Sequence, residues 1–181
     1  MDKKKTKIHK TETLYKGKLF SFVTEDITLP NGNRTEMAMV HHPGSTAIVP
    51  LLDDGKIVMV SQYRHSVRHC LLEIPAGTME SGESPIECAK RELEEETGLV
   101  AEEFIELAGV YIIPAYSNEK IYVYLAKGFS LSRQNLDQDE ILHVVKHPFE
   151  DVIEMINQGF IVDALTVLSI HQAYMYIKKR R

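Results

Sequence analysis

Residues 77–99 read GTMESGESPIECAKRELEEETGL, and glutamates crowd the last third of this stretch. On a helix, Glu92, Glu95 and Glu96 stand at positions i, i+3 and i+4, so their carboxylates share one face. Like charges at these spacings destabilise a helix by roughly 0.2–0.5 kcal/mol per pair, and a bound cation reverses that effect. Oxygen-only ligands of high charge favour Mg²⁺, Mn²⁺ or Ca²⁺ over zinc or copper. We therefore interpret this face as a metal platform.

The surrounding residues predict where this helix begins and ends. Ser84 followed three residues later by Glu87 is a capping-box signature, and Pro85 suits the first turn. Gly98 predicts the end of the helix. Apolar residues at helical spacing predict packing on a core; they are Ile86, Ala89 and Leu93. The charge run alone equally fits a solvated acidic helix, so the metal interpretation needs a second signal.

The spacing of residue types over the whole stretch supplies that signal. Gly77, five residues, Glu83, seven residues and then Arg91–Leu99 resemble the Nudix box at each of its defining positions. The resemblance implies a Nudix-type α/β/α sandwich and a hydrolase of nucleoside diphosphates linked to another group, with Mg²⁺ or, in its place, Mn²⁺ as cofactor. It also implies that Arg91 orients the glutamates. The implied metal ligands are the side chains of Glu83, Glu92, Glu95 and Glu96 and the backbone carbonyl of Ala76.

Segments outside the box narrow the resemblance to one branch of the family. Pro114 lies sixteen residues after Gly98, which resembles ADP-ribose pyrophosphatases and related nucleotide-sugar hydrolases. The segment 113–119 departs from that branch, where Ser-Pro-Gly and an aspartate are more usual, and it holds Glu119 as a candidate substrate contact. The implied substrate is a small-molecule nucleoside diphosphate sugar, in the first place ADP-ribose, cut to AMP and ribose 5-phosphate.

The candidate general base lies outside the box. A carboxylate that holds Mg²⁺ has its lone pairs committed to the ion, so a separate acid is expected to activate the water. The polar segment Gln134–Glu140 resembles the acidic loop of this branch, and we expect the base to be Glu140, or else its neighbour Asp139. Glu140 comes first because its side chain is longer. An exposed loop acid without a role is the alternative.

The N-terminal region supplies the candidate contacts to the nucleoside. In the branch that the chain resembles, an N-terminal sheet helps to complete the partner subunit's site, which implies a homodimer. Arg34 and Glu36 resemble the Arg-x-Glu that contacts adenine or its ribose, and Phe20 is a candidate stacking partner. For Phe20, an ordinary place in a strand core is slightly favoured. Arg64 suits a phosphate by its charge, and a surface salt bridge explains it nearly as well.

Length and composition fit one such domain with an extension. The chain has 181 residues, 44% of them hydrophobic, so it can bury a core but is short for two full domains. We expect an extension at residues 1–43 and the Nudix domain at residues 44–181. A net charge of −5 argues against a general nucleic-acid binder. With only two cysteines, the sequence predicts no disulfide framework. It has no apolar run long enough for a membrane span, so we expect a cytoplasmic protein.

The pattern along the chain predicts an α+β fold. Residues 19–29 and 34–41 alternate as strands around an Asn-Gly turn, and residues 46–52 and 56–63 predict a second strand pair. Further strands are predicted at 70–74, 107–113, 120–126 and 141–147, with helices, besides that of the box, at 148–158 and 163–178.

Three alternatives remain at this point. A zinc hydrolase would use histidines four apart, as at 65 and 69 or at 143 and 147. Both pairs fall in or beside predicted strands, where residues four apart are about 13 Å apart, so the spacing disfavours a shared ion. A Nudix hydrolase could act on another nucleotide class, such as a dinucleoside polyphosphate or an oxidised nucleoside triphosphate. A non-catalytic nucleotide-sugar-binding module should have lost box carboxylates, and this chain keeps them all.

Overall fold

A computed structural model describes residues 5–136 and 140–180, which contain ten strands and three helices. The strands are β1 (Lys7–Lys16), β2 (Ser21–Thr28), β3 (Arg34–His41), β4 (Ser45–Pro50), β5 (Lys56–Arg64), β6 (His69–Glu73), β7 (Ala76–Thr78), β8 (Leu99–Tyr111), β9 (Lys120–Leu131) and β10 (Leu142–Pro148). The helices are α1 (Pro85–Thr97), α2 (Phe149–Asn157) and α3 (Ala164–Lys178). Asp139, the second candidate for the base, lies outside the described residues.

The chain divides into two compact units. The first comprises Met1–Gly44 and Tyr111–Lys120, and the second comprises Ser45–Val110 and Ile121–Arg181. Each unit therefore draws on two stretches of sequence, and the loop around Pro114 groups with the N-terminal sheet.

The first unit is built on an antiparallel sheet of β1, β2 and β3. The predicted Asn-Gly turn joins β2 to β3: the Gly32 N–H donates to the Leu29 carbonyl at 2.9 Å, and Gly32 has a φ of 91°, which favours glycine. Strand β1 was not predicted. All ten of its residues are exposed, so it lacks the alternation of buried and exposed positions that reveals a strand in sequence.

Phe20 does not occupy a strand core. It precedes β2, its side chain is 42% exposed, and its ring centroid lies 6.0 Å from that of Tyr15 in a tilted arrangement. The favoured sequence interpretation of Phe20 as core is therefore wrong.

The second unit contains two sheets, ordered β7-β4-β9-β8 and β10-β5-β6. Strand β4 runs parallel to β9, with Ser45 opposite Ile121 and Pro50 opposite Ala126. Strands β4 and β5 were predicted as a pair, but they belong to different sheets, and an isolated bridge links Leu51, just after β4, to Ile57 of β5. The predicted pairing was wrong, because β4 takes β9 as its partner from far along the chain.

The helices cover the strands of the second unit. Helix α1 packs against β4 and β7, α3 also contacts β4, and α2 contacts α3, β5 and β10. Ala89 and Leu93 of α1 are fully buried in a core cluster with Ile48 of β4, and Ile86 packs against that cluster, as predicted. The predicted α+β class and all three helices are confirmed. In the part of the chain that the structure describes, no helix is long and apolar enough to cross a membrane.

Candidate active site in the loop and helix of residues 73–98

A close approach between Gly77 and Glu92 sets the local geometry of the site. Gly77 lies in β7, and a Cβ atom added to it would overlap the carboxylate of Glu92 on α1. Glycine therefore lets the backbone of the loop lie directly against a helix carboxylate. The loop is also tied to the end of the helix, because the Ala76 N–H donates to Glu96 Oε2 at 3.1 Å.

The ends of α1 form as its sequence predicts. The Ser84 N–H and hydroxyl donate to Glu87 Oε2 at 2.9 and 2.5 Å, and the Glu87 N–H returns a bond to Ser84 Oγ at 3.4 Å. At the other end Gly98 adopts a left-handed conformation with φ 68°, and its N–H donates to the Glu94 carbonyl at 2.8 Å. These caps fix the helix segment that carries the carboxylates.

Arg91 is bonded to three of the glutamates. Its Nε and Nη2 donate to Glu83 Oε1 and Oε2 at 2.9 and 3.0 Å, a two-point pairing. Its Nη1 donates to Glu92 Oε1 at 2.7 Å and to Glu95 Oε2 at 3.0 Å. The hydrogen bonds from Arg91 hold the pKa of Glu83 below its usual range. Glu87, which lies four residues before Arg91 on the same helix, is instead engaged in the N-terminal cap.

Glu92 and Glu96 are the buried members of the set, only 8% and 1% exposed. Burial raises the pKa of Glu92 to about 7. Burial, together with the negative charges of Glu92 and Glu140, raises the pKa of Glu96 well above its ordinary value. Two buried, mutually repelling carboxylates are costly unless a positive charge joins them.

The charge of Glu140 acts on both of these carboxylates, raising the pKa of Glu92 and of Glu96. Glu140 is half-buried and belongs to the same unit as α1. The first candidate base is thus close enough to these two box glutamates for its negative charge to affect their pKa values.

Arg64 lies beside the same loop. Its guanidinium pairs with Glu73, through Nε at 3.0 and 3.1 Å from the two carboxylate oxygens and through Nη2 at 2.5 Å from Oε2. Both side chains line a cavity of about 260 Å³ that also reaches Ala76 and Asp163. Ala76, which lines the same cavity, donates to Glu96, so Arg64 lies in a cavity that reaches the box, and its guanidinium is suited to a phosphate group.

The other predicted contacts lie in the first unit. Arg34 pairs with Asp26 across the β2–β3 ladder, with Nε 2.9 Å from Oδ1, and Glu36 is exposed on the same strand. Glu119 is half-buried, with Oε1 3.6 Å from His42 Nδ1.

The comparison with known families settles the class of protein. Residues 41–165 match the NUDIX domain, which is well over half of the chain. The chain belongs to the Nudix family. The prediction of a Nudix hydrolase, made from the spacing of the box, is confirmed, and the chain is an enzyme of that class.

Relatives of this Nudix hydrolase align along most of its length. It is 36% identical to the ADP-ribose pyrophosphatase of Bacillus subtilis (strain 168), over 93% of this chain and 91% of that one. It is 34% identical to the ADP-ribose pyrophosphatase of Mycobacterium tuberculosis, over 89% and 81%. The methanol dehydrogenase activator of Bacillus methanolicus is 36% identical, over 89% and 88%.

A solved structure confirms the Nudix-type fold. The crystal structure of an ADP compounds hydrolase superposes with a TM-score of 0.84 and covers 98% of this chain and 96% of that one. At 23% identity, this likeness is evidence for the fold and not for the substrate.

The carboxylate oxygens of the Nudix box are suited to binding a hard divalent cation. Glu92 and Glu96 offer buried carboxylate oxygens with raised pKa values, and a cation would offset the cost of their charge. Within residues 5–136 and 140–180, no three His, Cys, Asp or Glu side chains are already grouped around one metal position. Arg91 Nη1 donates to both Glu92 and Glu95 and so bridges these two carboxylates.

Two residues of the Nudix site were missed by sequence reasoning. Glu73, 4% exposed, holds Arg64; its signal is a single charge between apolar residues at the end of β6. Cys88, fully buried, receives a hydrogen bond from Thr46 Oγ1 at 3.3 Å and lies 3.5 Å from Arg91 Nη2. Burial raises the pKa of the Cys88 thiol to about 12, and the neutral thiol donates to the Gly77 carbonyl at 3.7 Å. No sequence signal pointed to that contact.

Proposed function

We propose that this Nudix hydrolase cuts the pyrophosphate of a nucleoside diphosphate sugar, in the first place ADP-ribose, giving AMP and ribose 5-phosphate. The observation that carries the proposal is the pair of buried carboxylates, Glu92 and Glu96, of which Glu96 is bonded to Ala76, a lining residue of the Arg64 cavity. The substrate class is supported by the two relatives named ADP-ribose pyrophosphatase, which align with most of the chain.

The metal would be Mg²⁺, with Mn²⁺ as a substitute. Its proposed ligands are Glu92, Glu95, Glu96, Glu83 and the Ala76 carbonyl. When bound, it would neutralise pyrophosphate oxygens and make water a better nucleophile. Arg91 contributes by holding Glu83, Glu92 and Glu95 in one place, which fixes the carboxylates before substrate arrives.

Arg64 binds a phosphate of the substrate in this proposal, and Glu140 takes the proton of the attacking water. Glu73 supports Arg64, because a bidentate pairing restricts the guanidinium to one orientation. Glu140 is supported as the base by its electrostatic effect on Glu92 and Glu96. Asp139 is the second candidate for that role.

The N-terminal sheet serves assembly and nucleoside recognition in this proposal. A second copy of the chain would cover its apolar side chains: Leu14 is 54% exposed and Tyr15 is 56% exposed on β1. Within a symmetric homodimer, Arg34 and Glu36 would contact adenine or its ribose, with Phe20 stacking on the base and Glu119 as a further substrate contact. The extension, residues 1–43, would thereby complete the partner's site.

We place this activity in the cytoplasm, with a small-molecule substrate and neither nucleic acid nor membrane as partner. The two cysteines support a reducing compartment, since Cys70 is an exposed thiol and Cys88 a buried one, and neither is paired. The formal charge of −5 supports the absence of a nucleic-acid partner.

A substrate panel tests the reaction. Purified protein with Mg²⁺ is given ADP-ribose, UDP-glucose, GDP-mannose, NADH, diadenosine polyphosphates and nucleoside triphosphates, and monophosphate products are separated by chromatography. We expect ADP-ribose to have the highest kcat/KM and to yield AMP and ribose 5-phosphate. A preference for triphosphates or dinucleoside polyphosphates would contradict the substrate assignment, and substrate binding without turnover would contradict the enzyme.

Sedimentation velocity tests the assembly. We expect a dimer at micromolar concentration, and we expect Leu14→Asp and removal of residues 1–43 each to weaken both dimerisation and ADP-ribose affinity. Lys16→Asp, on the same exposed strand, changes charge without removing an apolar side chain and serves as the control. A catalytically competent wild-type monomer would contradict the proposed dimer.

A further inference from the structure

The carboxyl end of α1 is held by a segment that follows β9. The last carbonyls of a helix have no partner within the helix, so other groups must satisfy them. Here the Asn135 N–H donates to the Glu95 carbonyl at 2.9 Å, and the Ser132 N–H donates to the Gly98 carbonyl at 2.8 Å. We call residues 132–135 the anchor segment.

A side chain of the anchor segment completes this capping. Gln134 Nε2 donates to the Glu96 carbonyl at 2.6 Å, and Ser132 Oγ donates to Glu94 Oε1 at 2.5 Å. The backbones of Glu95 and Glu96, whose side chains are proposed metal ligands, are therefore both bonded to the anchor segment.

The anchor segment lies against Gly98 with little space between them. A Cβ atom added to Gly98 would come within 3.1 Å of the Gln134 nitrogen and 3.2 Å of the Ser132 carbonyl oxygen. Gly98 thus does two things: it adopts the left-handed conformation that ends α1, and it leaves room for the anchor segment.

The anchor segment is also close in sequence to the proposed base. Glu140 lies five residues after Asn135. The segment that is bonded to the backbone of α1 is therefore a near neighbour, in sequence, of the proposed base.

We propose that Gln134 is a positioning residue for hydrolysis: its bond to the Glu96 carbonyl fixes the carboxylates at the end of α1. This inference rests on the proposed function. A misplacement of about 1 Å at a reacting group can cost roughly 10²-fold in rate, so a bond at the backbone of a ligand has consequences for turnover. A cap that merely stabilised the helix would lower the melting temperature and leave the turnover of the folded enzyme unchanged.

The test compares variants at position 134 with a neighbour. Gln134→Glu keeps size and shape but replaces the donor with an acceptor opposite the Glu96 carbonyl, and Gln134→Lys restores a donor. Arg133→Ala, at an exposed side chain of the same segment, is the matched control. For each protein, kcat and KM for ADP-ribose, the affinity for Mn²⁺ without substrate, and the melting temperature are measured.

We expect Gln134→Glu to lower kcat about tenfold while KM stays within about twofold of wild type, because the lost bond positions groups that act in the transition state. Its Mn²⁺ affinity should fall, Gln134→Lys should recover most of both losses, and Arg133→Ala should match wild type. If Gln134→Glu keeps wild-type kcat and Mn²⁺ affinity, whatever its melting temperature, Gln134 is only a helix cap and the inference is wrong.

The Mn²⁺ titration separates the two proposals. If wild type hydrolyses none of the substrates but Gln134→Glu still weakens Mn²⁺ binding and Gln134→Lys restores it, the proposed reaction fails and the positioning of the metal ligands by Gln134 stands. If wild type hydrolyses ADP-ribose and Gln134→Glu behaves like wild type in both assays, the reaction stands and the positioning role fails.

Discussion

The box segment, Gly77–Leu99, differs from the N-terminal sheet of β1–β3 in how many of its side chains find partners within one chain. In the box, polar groups find partners a few residues away: Arg91 alone bonds to Glu83, Glu92 and Glu95. In the sheet, large apolar side chains stay exposed, and β1 has no buried residue. The box assembles its carboxylates within one chain, whereas the sheet presents a surface that a single chain leaves uncovered.

This difference predicts which property each region controls. Substitutions in the box should act on turnover and on the energetics of buried charge, because its groups are close together and desolvated. Substitutions in the sheet should act on assembly and substrate affinity and leave the stability of a single chain nearly unchanged.

The largest expected effect comes from a buried carboxylate of the box. Glu96→Gln keeps an oxygen that can accept the Ala76 N–H but removes the charge of a residue that is 1% exposed. We expect kcat for ADP-ribose to fall by about 10³-fold or more, since metal stabilisation of charge is worth several kcal/mol. We also expect the metal-free protein to melt at a higher temperature, because a buried charge is gone.

The control for this substitution is Glu103→Gln, at an exposed position of β8. It should leave both turnover and melting temperature near those of wild type. Near wild-type turnover of Glu96→Gln at limiting Mg²⁺ would remove Glu96 from the ligand set.

Glu140→Gln is expected to give the next largest loss. Losing a general base typically costs about 10²–10⁴-fold in rate, whereas binding of ADP-ribose and Mg²⁺ should change little. Single-turnover kinetics and calorimetric titration measure the two separately. If Glu140→Gln stays active and Asp139→Asn is inactive, the base is Asp139; if both stay active, the assignment of the base to this loop is wrong.

Substitution of Arg34, an exposed cation of the N-terminal sheet, should affect only the affinity for substrate. The Arg34 side chain is 66% exposed and pairs with Asp26 at the surface, so Arg34→Gln should leave the melting temperature unchanged. We expect KM for ADP-ribose to rise about tenfold with kcat unchanged, as for the loss of one charge-assisted bond to substrate. Lys10→Gln, which breaks a surface pair with Glu12, is the control. An unchanged KM would show that Arg34 serves only its pairing with Asp26.

The parts of the fold that sequence predicted are those specified by neighbours in the chain. Ser84, Glu87 and Gly98 cap α1 through contacts over three or four residues, and such contacts are visible in a pattern. Strand β1 and the separation of β4 from β5 were missed. An exposed strand has no hydrophobic alternation, and the pairing of β4 with β9 depends on residues some 75 positions apart, such as Ser45 and Ile121.

The candidate site divides in the same way. The box glutamates and Arg91 could be located from spacing alone, since one helix face carries them. Glu73 and Cys88 could not be assigned roles, because their contacts to Arg64 and Thr46 form only when separate strands and the helix come together. The contact of Gly77 with Glu92 also required the folded structure, although the glycine itself belongs to the motif.

The pH dependence of the free energy of unfolding provides a smaller test of the buried carboxylates in the box. Glu92 has a pKa of about 7 when folded, raised by burial from an ordinary 4.5, so around neutral pH the folded protein binds more protons than the unfolded chain. The stabilisation that protonated Glu92 gives to the folded state is complete below pH 4.5, and it is lost as pH rises through 7. Metal-free protein should therefore gain about 1 kcal/mol in free energy of unfolding from Glu92 between pH 8 and pH 6. Denaturant melts of wild type and Glu92→Gln measure this, and equal slopes against pH would contradict it.

The smallest effect is expected at the start of the box helix, where local bonding can be separated from chemistry. Ser84→Ala removes the hydroxyl that donates to Glu87 Oε2 and accepts from the Glu87 N–H. We expect a loss of about 1 kcal/mol in free energy of unfolding, typical of an N-cap serine. Turnover should hold, because the carboxylates sit in the last turns of α1, where Arg91 and the anchor segment fix them. Ser81→Ala, in the exposed turn before the cap, is the control. A Ser84→Ala protein with unchanged stability and reduced kcat would show that the cap, and not only the far end of the helix, positions the carboxylates.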